Sequence, residues 1–152
     1  MATTAVRRPA KTIFDTSVYI QALLDPALSR RVEPYFEQLL PTTYFCAVVA
    51  QEPRARCRTA GARRRIEALV DPFRRVGQLG APTFADWELA GDLLARLFEN
   101  RRDLRNKIPA LVNDSLVALC AVRIGAVVIT ANLEDFELFR SYRRFRVATA
   151  PG

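Results

Sequence analysis

Histidine is absent from this 152-residue sequence, and its absence removes whole classes of chemistry. No Ser-His-Asp or Cys-His nucleophile system can be assembled, nor a histidine-based zinc site, nor an RNA transesterification site built on two histidines. Cysteine is scarce. Cys46, Cys57 and Cys120 are odd in number, widely spaced and without CxxC spacing. They argue against a disulfide framework and fit buried thiols in a reducing cytoplasm. No apolar run approaches the roughly 20 residues of a membrane helix. The basic start, MATTAVRRPAK, has no apolar stretch behind it to make a signal peptide. Any hydrolysis by such a chain must rest on carboxylates, Lys, Tyr or a metal.

What is present is an ordinary globular balance, half hydrophobic and about a quarter charged, over a length that suits one domain with a real core. Residues 1–10 read as a flexible N-terminal arm and 11–150 as a single domain. Lys and Arg outnumber Asp and Glu by 23 to 16, a net charge of +7, mostly from Arg. Clusters stand at Arg63-Arg64-Arg65, Arg74-Arg75, Arg101-Arg102 and Arg143-Arg144. Arg matches phosphate in a two-pronged fashion and releases counterions from a nucleic-acid backbone. A merely solvated surface would look the same, so charge alone does not choose.

Strand and helix patterns alternate along the chain. A strand near 11–15 ends in Asp15, and a helix over 17–25 stops at Asp25-Pro26. A second helix over 29–40 carries Val32, Tyr35, Phe36, Leu39 and Leu40 at helical spacing and is closed by Pro41. TYFCAVVA (43–50) has the β-branched and aromatic content of a strand, with Glu52 just after it and a helix over 52–70. PFRRVGQLGAP (72–82) reads as a short strand and a turn. Thr83 caps a helix whose apolar stripe is Trp87, Ala90, Leu93, Leu94 and Leu97. A helix over 113–125 ends at Gly125, a glycine suited to a left-handed cap, and AVVIT (126–130) is a continuous apolar strand. NLEDFELFRSY begins another helix, and FRVATA is a candidate last strand. This rhythm predicts a three-layer α/β/α sandwich around a parallel sheet.

Functional residues of open α/β sheets gather at the carboxyl ends of strands. Asp15 ends the first strand, Glu52 follows the second, Asn132 and Asp135 follow 126–130, and Asp114 opens the helix that leads into it. Clustered carboxylates repel one another and become stable around Mg²⁺ or Mn²⁺, which favour hard oxygen ligands. Such ions lower the pKa of water and clamp the oxygens of a phosphodiester, with no histidine needed. Each acid also has a plainer explanation. Asp15, Asn113 or Asp114 could be helix caps, Asp135 could complement a helix dipole, and Glu52 beside Pro53 could be a first-turn charge.

IFDTSVYI, AVVAQE and NDSLVALCAVRIGAVVITANLEDF resemble, in order and spacing, the three acidic blocks of PIN-domain proteins, most closely the VapC-type toxin ribonucleases of toxin–antitoxin modules. The resemblance covers residues 11 to 148, and its most specific part is the buried helix opening with Asp, followed by a strand and T-x-N-x-x-D-F. It implies a sheet of order 3-2-1-4-5, a homodimer, a cytoplasmic endoribonuclease dependent on Mg²⁺ or Mn²⁺, and a cognate antitoxin that inserts a basic residue at the acidic site. It places the metal-binding acids on Asp15, Glu52 and Asp114. The variable fourth position falls on Asn132, with Asp135 beside it, and Thr16, Thr130 and Asn113 support the site. The expected reaction is attack of water on an RNA phosphodiester, leaving a 5′-phosphate and a 3′-hydroxyl, with Arg54, Arg56, Arg102 and Arg105 as candidate RNA contacts. Two departures stand out. Pro53 replaces the usual apolar residue and should shift the helix start rather than break it. Asn132 in place of a carboxylate lowers the site charge by one and weighs against a second metal.

Other folds that end a first strand in Asp fit less well. Haloacid-dehalogenase-like phosphatases need an acid where Ser17 stands. Response-regulator receivers need an acidic pair beside Asp15 and a late Lys, whereas the last Lys is Lys107. The remaining alternative is a catalytically silent PIN-like module that binds RNA or protein.

Overall fold

Among the described residues five short strands, β1 (Lys11–Phe14), β2 (Thr43–Cys46), β3 (Leu79–Gly80), β4 (Ala126–Thr130) and β5 (Arg146–Thr149), build one sheet of order β3-β2-β1-β4-β5. Every pairing is parallel. A parallel sheet needs both faces covered, which is why its inner strands are apolar almost without interruption. Ile13, Phe14, Val128 and Ile129 are all buried, and Ile13 pairs with Val128 and Phe14 with Ile129. The one polar pair in the middle fixes register. Thr12 and Thr43 are opposite partners, and their hydroxyls bond at 2.8 Å; Thr43 also donates to the Leu39 carbonyl, so a one-residue slip would cost Thr12 its partner. The computed structural model describes residues 9–150; most of the expected arm, residues 1–10, lies outside the described residues.

Among the described residues seven helices flank the sheet: α1 (Thr16–Leu24), α2 (Pro26–Leu39), α3 (Ala47–Ala55), α4 (Ala60–Val76), α5 (Phe84–Asn100), α6 (Ile108–Ile124) and α7 (Leu133–Arg140). Helix α6 is the spine. Residues Ser115 to Ala121 are buried without a gap, because α6 packs on β1 and β4 and against α3, α5 and α7. It stops at Gly125, whose φ of 77° is open to glycine without strain. On the other side an aromatic chain runs from Phe14 to Phe36 (centroids 4.5 Å apart), Tyr19, Phe45 and Phe73. Burial pushes the Tyr19 phenol far above its ordinary value, and its hydroxyl has no hydrogen-bond partner among the described residues.

Several boundaries differ from the sequence expectation. The strand expected over 43–50 ends at Cys46, and Ala47–Ala55 is helix. Val48 and Val49 are buried while Ala47 and Gln51 are exposed, a helical spacing hidden within a short apolar run. The single helix expected over 52–70 is two, with the break at Arg56–Thr59 and a Thr59 cap on the Ala62 amide. Only Leu79–Gly80 of the stretch 72–82 is strand, because 72–76 continues α4. Pro53 is not in the first turn of α3 but is its seventh residue, where its missing N–H leaves the Val49 carbonyl without its helical partner, and the helix ends two residues later. Trp87 and Phe84 are 55% and 81% exposed. Periodicity gave Trp87 a direction, but nothing there covers it.

Candidate active site

The strand order turns between β1 and β4, and in open α/β sheets the crevice beyond such a turn is where ligands sit. Asp15 leaves β1 and stands at the N-cap position of α1, yet its side chain caps nothing there. Its Oδ2 accepts instead from Ser17 Oγ at 2.7 Å and Thr130 Oγ1 at 3.0 Å. Both donors are themselves fixed. Ser17 Oγ accepts from the Ala131 amide and Thr130 Oγ1 from the Asn132 amide, which joins the ends of β1 and β4. The capping explanation for Asp15 fails on this geometry. The carboxylate is 5% exposed and oriented by hydroxyls, which hold it without neutralising it.

Asp114 does not open α6. The helix starts at Ile108 and Asp114 is its seventh residue, so the capping explanation fails here too. Glu52 is the sixth residue of α3 rather than a strand end. Asp135 lies in the first turn of α7, is nearly buried, and accepts from Asn132 Nδ2 at 2.7 Å. A cleft of about 310 Å³ brings Asp15, Glu52, Asp114, Asn132 and Asp135 together with Thr16 and Asn113. Thr130 is not on its wall but sits behind Asp15.

Electrostatics show that these acids share one field. Burial raises the Asp114 carboxyl to about 8, and the charges of Asp15, Asp135 and Glu52 push the same way. Two cations answer this charge. Arg56 donates to Glu52 Oε1 at 2.8 Å, and Lys107 Nζ stands 3.9 Å from Asp135 Oδ1. As they stand, no three Asp, Glu or Cys side chains among the described residues are gathered tightly enough to hold one ion. The donor chemistry nevertheless fits a hard divalent cation. It is all oxygen, mutually repulsive and open to solvent on one side.

Sequence reasoning missed Ser17 and Lys107. Ser17 lies two residues from Asp15, in helical reach, and that spacing was the available signal. Lys107 ends a 3-10 turn over Arg102–Lys107, and nothing local ties it to Asp135. Of the arginines expected to meet RNA, Arg56 is held at Glu52, and Arg54 is paired with Glu67, which also takes Arg74. Arg102 and Arg105 are exposed on the 3-10 turn and do not line the cleft.

No family model and no curated protein sequence matches the chain. Solved structures do. DNA-bound VapBC from Salmonella typhimurium is similar with a TM-score of 0.62 at 19% identity, over 94% of this chain and 100% of that one. VapBC-1 from nontypeable Haemophilus influenzae gives 0.63 at 18%, over 91% and 96%. The chain has the PIN-like fold. A FitAB structure bound to an IR36 DNA fragment shares it, with a TM-score of 0.62 at 17% identity over 91% of this chain and 94% of that one. No helix among the described residues is long and apolar enough to cross a membrane.

Proposed function

We propose that this PIN-like chain is a Mg²⁺- or Mn²⁺-dependent endoribonuclease and the toxin of a toxin–antitoxin pair. The observation that carries the reading is the single cleft holding Asp15, Glu52, Asp114 and Asp135, with three of them raising the fourth. Carboxylates gathered in this way cost stability and are kept for something that needs them. Asp15, Glu52 and Asp114 would hold the ion. When bound, it lowers the pKa of a water and offsets charge on the attacking and leaving oxygens of a phosphodiester.

The chain's own residues do the rest. Ser17 and Thr130 keep the Asp15 carboxylate turned into the cleft. Asn132 fixes Asp135, and Lys107 shields it from the other acids. Arg56 holds one oxygen of Glu52, which leaves Oε2 to serve as a ligand and keeps a guanidinium beside the ion, where it can also take a phosphate oxygen. Likeness of fold to VapBC and FitAB complexes supports a small partner protein that silences the site. A homodimer belongs to the same proposal, and the mass in solution decides it. The Arg56–Glu52 contact favours the silent binding module as the alternative, whereas the intact carboxylate set favours cleavage.

Purified protein should cut RNA only with Mg²⁺ or Mn²⁺, leave 5′-phosphate and 3′-hydroxyl ends, and lose at least about a hundredfold in rate in Asp15→Ala and Asp114→Asn. Co-expression with the product of the adjacent reading frame should silence it. A 2′,3′-cyclic phosphate product, or cleavage that persists in both variants, would sink the reading.

A further inference from the structure

Next to the acidic cleft lies a second pocket of about 320 Å³, lined by Ile20, Pro53, Cys57 and Ile66 and rimmed by Arg56 and Arg65. The two are neighbours. Ile20 lines both, and Arg56, on the rim of the second, donates to Glu52, on the wall of the first. Ile66 is buried in the core and gives the pocket a fixed floor. Arg65 is exposed, so its guanidinium is available to a ligand.

We propose that this pocket is a nucleobase subsite, taking the base of single-stranded RNA that neighbours the phosphate in the acidic cleft. This rests on the nuclease reading for its phosphate and extends it to the substrate. A base is planar and presents an apolar face, which Pro53 and Ile20 can receive. Its edges and attached phosphate carry acceptors that guanidinium groups both stack on and bond. An aliphatic side chain from a protein would use the floor but gain nothing from the two cations. Bases in a duplex are already stacked on each other, so the pocket selects an unpaired strand.

Cys57 reports on the pocket directly. It is half-buried there, whereas Cys46 and Cys120 are fully buried and the chain has no other cysteine. The experiment follows alkylation of Cys57 by N-ethylmaleimide in the full chain, in EDTA so that no RNA is cut, with the modified peptide identified by mass. Oligouridylate should slow the reaction about tenfold, and a phosphodiester strand of the same length without bases by less than about twofold. Ala62 also lines the pocket, and Ala62→Leu, which narrows it without adding an aromatic face, should remove the base-dependent protection while oligouridylate still binds the basic surface. Arg65→Ala, on an exposed helical position, should weaken the protection if the first variant folds poorly.

Equal protection by both strands, no protection by either, or unchanged protection in the Ala62→Leu protein would overturn the subsite. Protection by an acidic peptide but not by RNA would overturn it in favour of a protein partner. Cleavage is scored separately, in Mg²⁺ or Mn²⁺. Base-dependent protection in a protein that cuts no RNA upholds the pocket and removes the nuclease.

Discussion

Asp114 carries a proton at neutral pH in the cation-free protein, because burial and then Asp15, Asp135 and Glu52 lift its carboxyl from an ordinary 3.8 to about 8. The sign of the consequence follows from proton counting. Between about pH 4 and pH 8 the unfolded chain has lost this proton while the folded chain keeps it. The folded state then binds more protons, so this group's contribution to stability falls as pH rises through that window. Arg56 at Glu52 and Lys107 at Asp135 partly screen the acids that cause it. Asp114→Asn removes the titration, so the variant should match the native chain in Tm near pH 4 and exceed it near pH 8, the gap being a few kcal/mol at most. Adding Mn²⁺ should raise the native Tm more at the upper end, because an ion replaces the proton. Thermal melts across that range decide it. Parallel native and variant curves would mean that Asp114 does not titrate there.

At the scale of elements, the turn from α6 into β4 shows what local sequence can specify. Gly125 has a φ of 77°, and a Cβ placed there would meet nothing within 4 Å. Gly125→Ala therefore adds backbone strain without a clash, and it should lower stability by about 1–2 kcal/mol. Urea unfolding should show the midpoint fall with the slope unchanged; an unaltered midpoint would show that the turn relaxes. This glycine was legible in advance, as were β4 as an unbroken apolar run and Asp15 at the end of β1, because each depends on its neighbours in sequence. Glu52 and Asp114, which line the candidate cleft, could be picked out in the sequence but were placed on the wrong parts of their elements. AVVA is apolar in a way that suits a buried strand and a buried helix alike, and packing, with Val48 and Val49 inward, chose the helix. The first turn of α6, from Ile108, has Pro109 and no capping side chain, so its start left no local mark. The contacts of Arg56 with Glu52 and of Lys107 with Asp135 join different turns of the chain, and tertiary structure alone supplies the latter.

For the molecule as a whole, the net charge of +7 surrounds a cleft of opposite sign, so without a cation RNA is held by the basic surface and its bases, and a cation is what brings a phosphate in among the carboxylates of the cleft. Part of the basic charge is already paired. Arg54 and Arg74 meet Glu67, Arg101 meets Asp103, Arg123 meets Asp86 and Arg140 meets Glu137. These are largely exposed pairs and contribute little to stability, but each leaves one fewer cation for RNA. Arg102 and Arg105 form no ion pair among the described residues, and they share the turn that sends Lys107 to the cleft. If both neutralise phosphates, replacing them with Ala should make the slope of log K against log salt shallower by about 1.4, at about 0.7 for each phosphate on a single strand. Arg101→Ala, whose guanidinium is taken by Asp103, should leave the slope as it was. Filter binding of single-stranded RNA over a range of salt, in EDTA, separates the two. A double variant with the native slope would assign Arg102 and Arg105 to solvation and move the path of the strand to the Arg56 and Arg65 side of the cleft.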